Sequence, residues 1–140
     1  MKKIIALVLV CILSVSVFEA PCFAKAADTI MPCYENVTTG KASLAIDDNG
    51  KATISVRCIG VAGTTSIRAV TYMEKLVNGS WERVDIASAN DQWTAQVTTT
   101  YYINTLTHQL TSTGTYRAVC KFTVTAGTVE TVTYTSQATY

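Results

Sequence analysis

Five cysteines, one histidine and ten carboxylates are the residues of this 140-residue chain that could carry covalent, metal or acid–base chemistry. The cysteines are Cys11, Cys22, Cys33, Cys58 and Cys120, and the histidine is His108. A structural zinc wants four His or Cys ligands, and one His with cysteines engaged elsewhere does not supply them. A nucleophilic Cys needs a base beside it, and His108 falls on a strand far from Cys33. Glu74, Glu82, Asp85 and Asp91 gather around one hairpin. A glycosidase pair is one account of them, and a solvated sheet edge is the plainer one. Asp47-Asp48-Asn49 opens like a calcium loop but lacks the spacing and closing Glu of an EF-hand, so a hairpin turn explains it better. No catalytic residue, no metal and no cofactor is assigned, and a non-enzymatic protein is expected.

Aromatic side chains are the other source of chemistry. Trp93, Tyr101, Tyr102 and Tyr134 exceed what one small core needs. Exposed rings stack on sugars or anchor a protein partner. Cross-strand packing on the sheet faces is the competing use and the favoured one. Asn36-Val37-Thr38 and Asn78-Gly79-Ser80 match glycosylation acceptors.

The elements that would position these residues begin after a leader. Met1-Lys2-Lys3, an apolar run from Ile4 to Val17 and the Ala24-Lys25-Ala26 site form a secretory signal peptide over 1–26. A cut after Ala24 is the second choice. The apolar run falls short of the roughly 20 residues that span a bilayer. Neither Cys11 nor Cys22 sits in a lipid-attachment context, so a released, extracellular protein without membrane insertion is expected. Residues 27–140 hold 8 basic and 9 acidic side chains, net −1, with no long charge run. Nucleic acid is therefore a poor partner, since it is read from a basic patch.

Residues 27–40 are expected to be a flexible arm carrying Cys33, and 41–140 one all-β domain. Thr, Val and Tyr abound, and these branched and aromatic side chains fit a pleated surface. Strands are predicted over 41–47, 51–59, 66–76, 80–87, around 93–97 and 103–110, then over 116–124 and 129–136. Asp48-Asn49-Gly50 and Asn78-Gly79 supply hairpin turns. Ala52, Ile54, Val56 and Cys58 share one face of the second strand. Tyr116, Ala118, Cys120, Phe122 and Val124 share one face of a late strand.

The segments "ASLAIDDNGKATISV", "NGSWERV" and "GTYRAVCKFTV" resemble an immunoglobulin-like antiparallel two-sheet sandwich of about seven strands. More closely, they are similar to small secreted single-domain proteins of Gram-positive, Clostridia-type bacteria, whose function is not known. In the immunoglobulin pattern a Cys follows the turn Gly by six residues and a second Cys follows the Tyr by two. Here both cysteines come two residues late, Cys58 after Gly50 and Cys120 after Tyr116. A shift of two keeps each side chain on its face and moves both the same way. The resemblance thus implies an inter-sheet disulfide between Cys58 and Cys120, with two buried free thiols as the alternative. It also implies a tyrosine corner from Tyr116 to the loop near Ser112 or Leu110. The third strand lacks the Trp that packs on such a bridge, and Trp81 would take that place. Cys33 is left over, for intermolecular pairing, a homodimer included, or as a free thiol.

A sandwich of this kind hosts unrelated functions. The expected function is a secreted binding module for an unknown protein or glycan on a cell surface. The alternative is a structural or assembly component that forms oligomers through Cys33 or an edge strand.

Overall fold

The computed structural model describes residues 34–140, so the expected signal peptide and Cys33 lie outside the described residues. Eight strands follow in order: β1 Val37–Ile46, β2 Lys51–Gly60, β3 Ser66–Val77, β4 Ser80–Arg83, β5 Trp93–Val97, β6 Tyr101–Gln109, β7 Thr115–Ala126 and β8 Thr128–Thr139. A 3₁₀ turn, Ala89–Asp91, precedes β5.

The strands form two antiparallel sheets. One has the order β1-β2-β6; the other runs β4-β3-β7-β8, with β5 beside β3. β4 pairs with residues 74–77 of β3 and β5 with residues 67–71, so both share the edge that β7 leaves free. The chain crosses between sheets after β2, β5 and β6, which is the Greek-key pattern of an immunoglobulin-like sandwich.

Turn chemistry sets the registers. Asp47 accepts the amides of Asn49 (3.0 Å) and Lys51 (2.8 Å) through Oδ1, and Gly50 turns the corner at φ +78°. Asn78 and Gly79 both adopt positive φ, at 50° and 83°, as a two-residue hairpin of matching twist requires. β4 ends at Arg83, short of the expected 80–87. Beyond it, Asp85 Oδ1 accepts the Ala87 amide at 2.7 Å, and Ser88 Oγ donates to the Gln92 carbonyl at 2.8 Å. Such local side-chain bonds compete with a ladder and release the strand from the sheet.

β1 starts earlier than the sequence suggests, at Val37, because the segment before it is tied down. Asn36, only 3% exposed, donates through Nδ2 to the carbonyls of Thr128 (3.0 Å) and Val124 (3.3 Å). Glu130 accepts the amides of Asn36 (2.7 Å) and Glu35 (3.2 Å).

The core lies between the sheets, and strand alternation selects its members. Ala52, Ile54, Val56 and Cys58 come from β2; Tyr116, Ala118, Cys120, Phe122 and Val124 come from β7. Tyr116 Oη donates to the Ser112 carbonyl at 2.6 Å, which is the tyrosine corner the sequence implies. Phe122 sits in a line of rings, 6.1 Å from Tyr102 on one side and 6.1 Å from Tyr134 on the other. Tyr134 reaches across the open side of the sandwich over Gly40 of β1, where a β-carbon would run into its ring. Gly40→Ala is therefore expected to cost about 1–3 kcal/mol of overpacking. Chemical denaturation should show that cost shrinking in a Tyr134→Ala background, where the obstructing ring is gone.

Two sequence-based expectations are corrected here. The Cys58–Cys120 disulfide is absent: both cysteines are fully buried and both are free thiols. The matched displacement does bring both sulfurs to the inner faces. The two sulfurs nevertheless stay beyond bonding distance of each other. Cys120 Sγ is held toward its own sheet, accepting the Thr71 hydroxyl of β3 at 3.2 Å. The second correction concerns tryptophan. Trp81 pairs with Leu76 on the outer face, and it is Trp93, paired with Thr71, that packs on the core.

Candidate functional site

The residues singled out from the sequence do not converge on one place. Trp93 and Tyr134 pack half-buried against the core, and Tyr102 is buried within it. Tyr101 alone stands out from the protein, 58% exposed on β6. The four aromatics thus come from three strands in two sheets, and three of them serve packing. The carboxylates are divided as well. Glu74 binds Arg117, Asp91 accepts the Ile86 amide, and Glu82 and Asp85 line an open groove with His108 and Lys75 at one end of the sandwich. Among the described residues no group of three or more His, Cys, Asp and Glu side chains is placed to hold a metal ion.

The two thiols are chemically quiet. Burial pushes Cys58 from the ordinary 9.0 up to about 12, with the neighbouring charge of Cys120 adding to it. Burial pushes Cys120 to about 11, partly offset by the Thr71 hydroxyl. Thiolate is the reactive form, so neither is a nucleophile near neutral pH. The sign for stability follows. Below pH 9 the thiols are protonated in both states and cost nothing. As pH rises from 9 towards 12, the unfolded chain ionises first and stability falls. Urea midpoints should decline over that range and decline less in a Cys58→Ala/Cys120→Ala variant. Some slope should persist, since Tyr134 is also raised by burial. In the native protein iodoacetamide should spare both thiols. After unfolding it should label both without any reductant, which a disulfide would prevent.

The side chains that do converge lie on the outer face of the five-stranded sheet. Alternation along β3 turns Arg68, Val70, Tyr72 and Glu74 outward, opposite the core residues Ile67, Ala69, Thr71 and Met73. Register places Thr123, Lys121, Val119 and Arg117 of β7 against those four in turn. β4 adds Arg83 opposite Glu74 and Trp81 opposite Leu76. Arg117 Nε donates to Glu74 Oε2 at 2.6 Å, and its guanidinium lies 4.3 Å over the Trp81 ring. The Arg83 guanidinium stacks on Tyr72 at 3.4 Å, and Lys121 Nζ stands 5.8 Å from the same ring. Beneath this layer Val119 is only 4% exposed, although it points away from the core. The face is therefore a packed layer of its own. Planar guanidinium groups resting on rings are pre-positioned to meet a carboxylate or phosphate.

Sequence reasoning missed this face. Its strands show the period of two that puts Arg117 with Lys121 and Trp81 with Arg83. What joins them is pairing between β3, β4 and β7, which no single segment reveals.

Neither a protein-family model nor a curated protein matches the sequence. Among solved structures, the chain is similar to the CARDB domain of a Pyrococcus furiosus protein determined in complex with di-metal ions. The two are 18% identical, with a TM-score of 0.42, over 76% of this chain and 90% of that one.

Proposed function

We propose that the chain is a secreted, non-enzymatic binding module and that it recognises its partner through the outer face of the five-stranded sheet. One observation carries this reading. Of the 8 basic residues after position 26, Arg68, Arg83, Arg117 and Lys121 stand on this single face with one acid, Glu74, among them. A chain close to neutral overall has concentrated half its cations on one flat surface. Such a surface attracts anionic partners and orients them.

The test is retention of the purified protein on intact cells and cell-surface preparations. Arg68→Glu/Lys121→Glu is expected to lower retention at least tenfold. Arg57→Glu, on the outer face of the other sheet, should leave it unchanged. Equal losses from both variants, or none from the first, would overturn the choice of face.

Assembly is the second reading, and β6 favours it. This edge strand, "YYINTLTHQ", bears no Lys, Asp, Glu or Pro to blunt it, and it leaves Tyr101 58% and Ile103 64% exposed. Unprotected edges are pairing templates. Oligomers that form with rising concentration and vanish in Ile103→Lys would move assembly ahead.

A further inference from the structure

We infer that the ligand of this face is an extended acidic polysaccharide; the inference rests on the binding reading above. Its first ground is length. From the row of Arg68 to the row of Glu74 the cations span six residues of strand, about 20 Å at roughly 3.3 Å per residue. A single small anion meets one or two of them, whereas a chain with a charge on successive units meets them all. Of two open grooves among the described residues, the one beside Asn104 lies on the other sheet, and the one beside His108 meets this surface only at Arg83.

The second ground is the form of the cations. Arg83 and Arg117 are braced by Tyr72 and Trp81, and Arg117 spends only its Nε on Glu74. Its terminal nitrogens remain to bind a carboxylate in the forked geometry that planar guanidinium favours. Lys121 and Arg68 are exposed and carry no ion-pair partner among the described residues.

The third ground separates a sugar polymer from other polyanions. Along β7 and β8 the same face is lined with hydroxyls and an amide: Thr123, Thr131, Thr133, Thr135 and Gln137. Thr123 and Thr131 already share a hydrogen bond at 3.1 Å. Uncharged donors and acceptors of this kind match the hydroxyls of a glycan. A phosphate polymer only accepts and leaves their acceptor capacity unused, and an acidic peptide meets them with backbone amides alone. Trp81, half-buried beside the 39% exposed Leu76, offers an apolar ledge for a sugar ring.

Titration of the isotope-labelled chain by NMR, with binding constants from calorimetry, tests this with four probes: polygalacturonate, a neutral galactan, poly-glutamate and polyphosphate. Polygalacturonate should shift the amides of β3, β7 and β8, weaken with added salt, and bind at least tenfold more tightly than the other three. Arg68→Gln/Lys121→Gln should weaken it about tenfold, and Thr133→Val/Thr135→Val should weaken it several-fold while leaving poly-glutamate unaffected. If poly-glutamate or polyphosphate shifts the same amides and binds more tightly, the polysaccharide is overturned and the face stands. If the galactan matches polygalacturonate, the charge argument is overturned. If no probe perturbs this face, the ligand class is overturned. The cell-retention experiment then decides the face by itself.

Discussion

Phe122→Ala is expected to destabilise the protein by about 3–5 kcal/mol, the range for deleting a fully buried aromatic ring. Phe122 is the largest side chain with no exposure at all. It stands on β7, which pairs with β3 on one side and β8 on the other. Its ring touches both sheets, meeting Tyr102 of β6 and Tyr134 of β8, each at 6.1 Å and tilted by 64° and 58°. Removing it therefore leaves a cavity walled by paired backbone, where collapse is hindered, and strips two aromatic pairs as well. For a domain of this size such a loss lowers the melting temperature by roughly 12–25 °C. Calorimetry and urea denaturation would measure it. Leu at the same position should recover more than half of the loss, because most of the volume returns. A Phe122→Ala protein within 1 kcal/mol of the parent would mean that the two sheets do not depend on this contact.

That strand was legible in the sequence, and the reason is geometric. A strand with one face buried writes its orientation as a period of two, so Tyr116, Ala118, Cys120, Phe122 and Val124 could be assigned to the core without any partner. The same holds for Ala52 to Cys58, and the turn at Asn78-Gly79 follows from the positive φ it demands. Alternation states which face a side chain takes, and it does not state which side chain of the opposite sheet it meets. It therefore puts Cys58 and Cys120 inside, as they are, without deciding whether the two sulfurs meet. The sequence puts Trp81 inward in place of Trp93 because each lies on a short strand at the same edge of β3, and only the pairing with Leu76 or Thr71 turns one out and the other in. The cationic face was invisible for a related cause. Glu74 and Arg117 are 43 positions apart, and Arg83 comes to the same row from a third strand. Asn36 was missed for a different reason: a polar residue ahead of a strand reads as loop, and burial of an amide is decided by partners more than 80 residues away.

Asn36→Asp is the substitution in which that burial should show most clearly, with an expected loss of about 2–4 kcal/mol at pH 7, against about 2 kcal/mol for Asn36→Ala. The Asn36 amide nitrogen donates to the Thr128 carbonyl at 3.0 Å, the Thr128 hydroxyl at 3.1 Å and the Val124 carbonyl at 3.3 Å. Two of these three atoms are carbonyl oxygens, which can only accept, and the carboxylate of Glu130 lies against the Asn36 backbone amide at 2.7 Å. An alanine leaves the carbonyls without this donor. An aspartate is nearly the same shape but accepts only when ionised, so it sets a buried negative charge against two carbonyls and a second carboxylate. Both desolvation and like charge raise its pKa in the folded protein above the ordinary value near 4. The folded form then binds its proton at a higher pH than the unfolded chain, and the stability deficit relative to wild type shrinks as pH falls through that raised pKa. Protonation restores one donor, which can return to the Thr128 carbonyl. Urea denaturation of wild type, Asn36→Asp and Asn36→Ala between pH 4 and 8 separates the terms. The Ala deficit should be flat with pH, while the Asp deficit should start larger and converge on it in acid. A flat Asp curve equal to wild type would mean that this amide is not the tie between the start of β1 and the β7–β8 hairpin. The early start of β1 would then need a different cause, with Glu130 and the backbone of Val61, which donates to the Asn36 carbonyl at 3.1 Å, as the remaining contacts.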